Sequence, residues 1–133
     1  MEKDSEIKKA EPTRGELDIL QVLWETGPAT VRAVNDALLR QKEVNYTTTL
    51  KQMQVMAEKG LLLCDKRQVK HIYRVAEDEQ KTKAHLLKKI TDGMFRGSIR
   101  NIVVQLLGNG NPSKEDIREI KAILEQLEKE TDQ

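Results

Sequence analysis

A mostly α-helical chain with one small β-hairpin is the fold class the sequence predicts, and three observations carry that prediction. Apolar residues recur at three- and four-residue spacing through most of the chain, the period of an amphipathic helix. That period is interrupted once, between Leu61 and Val75, where two short strand-like runs flank the polar connection Lys66-Arg67-Gln68-Val69-Lys70. Three helical segments lead directly into this ribbon and only helical patterns follow it. The outline is a winged helix-turn-helix over residues 11–75, followed by a helical region over residues 76–133.

Each element has its own local signal. Residues 1–10, MEKDSEIKKA, read as a disordered tail. Thr13 followed by Glu16 forms a capping box, in which each side chain satisfies an otherwise unpaired backbone N–H of the other. Leu17, Leu20 and Trp24, widened by Ile19 and Leu23, give the first helix its apolar stripe, and Gly27-Pro28 stops it. Thr30 caps a short second helix carrying Val31, Val34 and Leu38. The third helix begins at Tyr46-Thr47-Thr48-Thr49, turns Thr49, Leu50, Met53 and Met56 to one side, and ends at Lys59 with Gly60 beyond it. Leu61 to Asp65 and His71 to Val75 are the strands.

Beyond Glu77 the expectation is one helix to about Phe95, a second from about Ser98 to Leu107, and a break at Gly108-Asn109-Gly110-Asn111-Pro112. Ser113 and Asp116 then cap a last helix. Short amphipathic helices bury too little surface to be stable alone. The same segment of a second chain is the economical partner, which gives Ile99, Ile102, Val103, Leu106, Ile117, Ile120, Leu124 and Leu127 as candidate dimerisation residues.

Composition narrows the function. At 133 residues, with 38% hydrophobic and 34% charged residues, the chain has material for one modest core and an appendage, not for a large enclosed active site. The lone Cys64 excludes an intramolecular disulfide and a multi-cysteine metal site, and fits a reducing compartment. The charged start lacks the apolar region of a signal peptide, and no run approaches the roughly 18 apolar residues of a membrane span. The expectation is a cytoplasmic protein with no membrane insertion. Neither His71 nor His85 belongs to a recognisable triad or metal set, and no glycine-rich phosphate loop occurs, so no enzyme, cofactor or metal is expected.

Net charge is only +1, but its distribution is uneven: Arg40 to Arg74 holds eight Lys or Arg against three acids, whereas residues 76–133 hold ten against eleven. A local basic face suits phosphate binding, because neutralised phosphates release counterions. In a helix-turn-helix the second paired helix enters the major groove of double-stranded DNA. Here that helix presents Thr47 and Thr48, which can bond phosphate or base edges, Lys51, which can reach guanine or phosphate, and Gln52, which can pair with adenine. Tyr46 stands at its start as a packing residue with a hydroxyl near phosphate. Lys66, Arg67 and Lys70 converge at the ribbon, where a wing meets the backbone or minor groove. A solvated polar helix face and a solvated hairpin are the competing readings. In a rival function, the winged helix contacts protein and the later helices scaffold a complex.

Four segments, read in order, sharpen this: Glu16-Leu17-Asp18-Ile19-Leu20 through Leu23-Trp24, then Gly27-Pro28-Ala29-Thr30-Val31-Arg32, then Val44-Asn45-Tyr46-Thr47-Thr48-Thr49-Leu50, and Glu58-Lys59-Gly60-Leu61-Leu62. With them the chain resembles the BlaI/MecI/CopY family of penicillinase-type repressors from about Glu11 onward. The resemblance implies a homodimer that represses an operator near the genes it controls, an antibiotic-resistance or stress-response operon. It also implies release through proteolysis triggered by a membrane-bound sensor protease. Matching the helix from Ser113 to Leu124 puts the equivalent bond at Gln105-Leu106, where the β-lactam-responsive members have Asn and Phe. The cysteine cluster of the copper-responsive branch is absent. Lys51, Gln52 and Val55 stand where relatives often have Thr, Met and Arg, so the operator sequence does not carry over.

Overall fold

The computed structural model describes residues 11–132, and the tail expected at 1–10 lies outside them. In chain order the elements are α1 (Arg14–Thr26), α2 (Val31–Leu38), α3 (Tyr46–Glu58), β1 (Leu62–Asp65), β2 (Ile72–Val75), α4 (Glu79–Met94), α5 (Ile99–Asn109) and α6 (Lys114–Thr131). The chain divides inside α4 into two compact units, one up to Leu86 and one from Leu87 onward.

In the first unit the Thr13–Glu16 and Thr30 caps form as the sequence signals them, and Asn45 supplies a cap that the sequence reading leaves unassigned. Thr13 and Glu16 make the reciprocal box that starts α1. Gly27 ends α1 at φ 82°, a left-handed conformation that a side chain would strain. Thr30 caps α2 through the Ala33 N–H, and Asn45 caps α3 through the Thr48 N–H. Gly60, at φ 85°, reverses the chain from α3 into β1.

Ile19, Leu20 and Leu23 of α1, Val31, Val34 and Leu38 of α2, and Met53 and Met56 of α3 bury together with Leu62 and Tyr73 of the hairpin. One polar contact sits within this core: Thr49 Oγ1 donates to Asn35 Oδ1 at 2.6 Å, both side chains buried. A buried hydrogen-bonding group left alone is costly, so this bond selects the relative setting of α2 and α3. The strands pair antiparallel with Leu62 opposite Val75 and Cys64 opposite Tyr73. Ala29, in the α1–α2 connection, exchanges both backbone hydrogen bonds with Tyr73 at 2.9 and 2.8 Å. This bridge fixes the base of the wing to the three-helix core. Burial and the neighbouring Cys64 push the Tyr73 phenol up to about 12, so it stays neutral.

The second unit is helical. α5 extends to Asn109, beyond the expected end at Leu107, with Gly108 inside it. A single glycine costs about 1 kcal/mol in a helix, too little to stop one by itself. Asn109 Nδ2 donates to the Gln105 carbonyl at 3.1 Å in the last turn. Asn111, at φ 49°, makes the turn, and Ser113 caps α6 through the Asp116 N–H. No residue of α5 or α6 is buried.

Candidate nucleic-acid interface

Burying Thr49, Met53 and Met56 against the core turns the opposite side of α3 outward. Thr47, Thr48, Lys51 and Gln52 therefore gather on one shallow surface with Val55, bordered by Glu16 from the start of α1. Thr47, Thr48 and Lys51 are exposed. Gln52 is half-buried and leans over Gly15: a Cβ built on that glycine would lie 2.8 Å from Gln52 Nε2. The amide thus has a resting place against α1, which the helix pattern of α3 alone did not reveal.

The rear of this surface is held by an ion pair. Glu16, only 4% exposed, accepts from Lys59 Nζ through both oxygens at 2.9 and 3.0 Å and from the Thr13 N–H at 2.9 Å. Burial pushes the carboxyl up, but the Thr13 N–H and the Lys59 ammonium outweigh it and hold the group below its ordinary value. The pair ties the first turn of α1 to the end of α3.

The three wing cations, expected to converge at the ribbon, line two different depressions. Lys66 and Arg67 line a depression with Asp65 and Arg74, and Lys70 lines another beside α2 and α3. Arg67 is engaged: its Nε and Nη2 bind the two Asp65 oxygens at 3.0 and 2.8 Å, and its own N–H also donates to Asp65. These bonds hold the Asp65 carboxyl well below the carboxylate range and raise the Arg67 guanidinium. Lys66 and Lys70 are exposed at the connection.

Tyr46, the first residue of α3, is 37% exposed and carries a guanidinium on its ring: Arg32 Cζ lies 4.6 Å from the ring centroid. Charge counting over Arg40 to Arg74 misses Arg32 because it stands upstream on α2; only the fold brings it to the start of α3.

Ile99, Ile102, Val103 and Leu106 lie on α5, and Ile117, Ile120, Leu124 and Leu127 on α6. Ile102 and Ile120 are half-buried and the other six are exposed. The Gln105-Leu106 bond is inside α5. His71 is exposed ahead of β2, and His85 sits on α4 with Nδ1 3.2 Å from Glu77 Oε1. Among the described residues no group of three or more His, Cys, Asp or Glu could hold a metal ion, and no helix is long and apolar enough to cross a membrane.

Three packed helices, an outward polar face on the third and a basic antiparallel ribbon anchored behind it define a winged helix-turn-helix of the DNA-binding class. The chain belongs to the penicillinase repressor family, whose defining sequence pattern matches residues 12–126, and it is a transcriptional repressor. Among curated proteins no match was found.

Proposed function

We propose that this repressor works as a homodimer on a pseudo-palindromic operator of an antibiotic-resistance or stress-response operon. The observation that carries the reading is the gathering of Thr47, Thr48, Lys51 and Gln52 on the single outward face of α3. In the major groove Gln52 and Lys51 address base edges while Tyr46, Thr47 and Thr48 hold the backbone. Lys66, Arg67 and Lys70 lie along the sugar–phosphate strand, Arg67 exchanging Asp65 for a phosphate. The apolar residues of α5 and α6 form the seam between protomers, a role supported by their exposure in the single chain.

Repression ends, in this reading, by proteolysis at Gln105-Leu106 after a membrane sensor protease is stimulated. The cut separates α6 from most of α5. A dimer holds its operator by effective concentration, so losing the seam lowers affinity by about 100-fold or more without altering any DNA contact. The Gln105-Leu106 bond lies in a helix, so that turn must unwind before cleavage.

Salt-dependent binding of the whole chain to its own promoter, read by fluorescence anisotropy, tests the DNA reading. Steep weakening with salt and preference over random duplex are expected; binding to neither would favour a protein-contacting winged helix. Immunoblots during antibiotic exposure test the release step. Derepression with every molecule at full length would remove cleavage from the account.

A further inference from the structure

Beside the wing, a groove of about 340 Å³ runs between α2, the start of α3 and the hairpin connection. Thr30, Arg32, Tyr46, Val69, Lys70 and His71 are among the residues that line it. No carboxylate lines it. The other depression beside the wing is lined by Lys66, Arg67 and Arg74 together with Asp65, which pairs with Arg67; this groove holds Arg32 and Lys70 and no acid.

Arg32 is the distinctive group. It is exposed on α2, and it makes no ion pair with any carboxylate among the described residues. Its guanidinium is placed over the Tyr46 ring. A guanidinium held over a ring has five N–H donors and, among the described residues, no carboxylate partner here, which suits it to phosphate oxygens. Tyr46 thus restricts the conformations of an otherwise mobile side chain, and less freedom is lost when an anion is bound. Lys70 provides a second charge across the same groove, and Val69, fully exposed, adds an apolar wall that suits the deoxyribose face of a strand.

We propose that Arg32, supported by Tyr46 and joined by Lys70, clamps one phosphodiester strand of duplex DNA in this groove, between the recognition helix and the wing. The clamp rests on the DNA-binding reading above and adds to it a named backbone contact on α2. It engages phosphate regardless of base sequence, and it adds the groove beside Lys70 to the wing surface that meets the backbone.

The test titrates the full chain into a fluorescent duplex of mixed sequence and into its preferred promoter site across a range of salt. Arg32→Ala should weaken both by the same factor and flatten the logarithmic salt dependence by about 0.9 for each protomer on the duplex. Arg32→Lys should keep the slope, because charge is retained. Tyr46→Phe removes the hydroxyl's own backbone contact and keeps the ring; Tyr46→Leu should lower affinity further than Tyr46→Phe at unchanged slope, because it also removes the support of the guanidinium. Thermal unfolding followed by circular dichroism accompanies each variant; should Arg32→Ala unfold, Arg32→Gln carries the same slope prediction. An unchanged slope for the neutral variants, or equal impairment of the Ala and Lys variants at constant slope, overturns the clamp and leaves the repressor reading standing. Failure of the unmodified chain to bind any duplex overturns both.

Discussion

Replacing Glu16 by Ala is the perturbation whose cost the structure defines most closely. The carboxylate accepts one backbone hydrogen bond and both arms of the Lys59 ammonium while its side chain is 5% exposed. A hydrogen bond to a charged group contributes about 1.5–3 kcal/mol, and removing one member of a buried ion pair costs about 3–5 kcal/mol. Lys59 retains 27% of its side-chain surface in water and can rehydrate, which discounts the second figure. The expected loss is therefore about 2–3 kcal/mol for Glu16→Ala, and about 1 kcal/mol for Glu16→Gln, which keeps an acceptor for the Thr13 N–H. The pH dependence has a definite sign. The folded carboxyl titrates below its ordinary value of 4.5, so its contribution is complete above that pH and is lost as pH falls through the folded value. The gap between wild type and Glu16→Gln should thus be flat near neutrality and close in acid. Urea unfolding followed by circular dichroism, at one fixed protomer concentration because association couples to stability, measures both quantities. A Glu16→Ala variant within about 0.5 kcal/mol of wild type, or a gap indifferent to acid, would refute the reasoning.

Two further predictions follow from geometry. Gly15→Ala should raise the melting temperature, since alanine is favoured over glycine in a helix by about 1 kcal/mol, yet its Cβ displaces Gln52 and should alter base preference at one position of the site. An unaltered preference across single-substituted operators would mean that Gln52 does not read bases. Leu124→Asp with Leu127→Asp should convert dimers to monomers in sedimentation while leaving the winged-helix unit folded, because both positions are exposed in the single chain and charge there is costly only against a partner. A persisting dimer would displace the seam from α6.

What was legible in the sequence was whatever is written in neighbouring residues. The Thr13–Glu16 box, the Thr30 and Ser113 caps, and the Lys59-Gly60 exit from α3 depend on groups within one turn, so residue type and spacing determine them. The outward face of α3 was legible for the same reason: burial of Thr49, Met53 and Met56 leaves Thr47, Thr48 and Lys51 no other side. Contacts between elements were not. Nothing in the spacing joins Arg32 to Tyr46, Gln52 to Gly15, or Ala29 to Tyr73, because each pair meets only after the helices pack. Counting charge gives Lys66, Arg67 and Lys70 equal weight, whereas the turn that follows β1 brings the Arg67 guanidinium back onto Asp65 and leaves Lys66 and Lys70 without that partner. α5 runs past the glycine that marks its expected end, because a helix already formed can absorb the cost of Gly108.

The central claim is that two copies of this chain read DNA symmetrically through α3. Selection of binding sites from a random duplex library by the full-length protein, followed by sequencing of the retained pool, tests it most directly. The account predicts an inverted repeat with half-sites about one helical turn apart, roughly 10 base pairs between centres or a multiple of that, lost when Gln52 and Lys51 are both replaced by Ala. Enrichment of a single unrepeated motif, or of none, would contradict it.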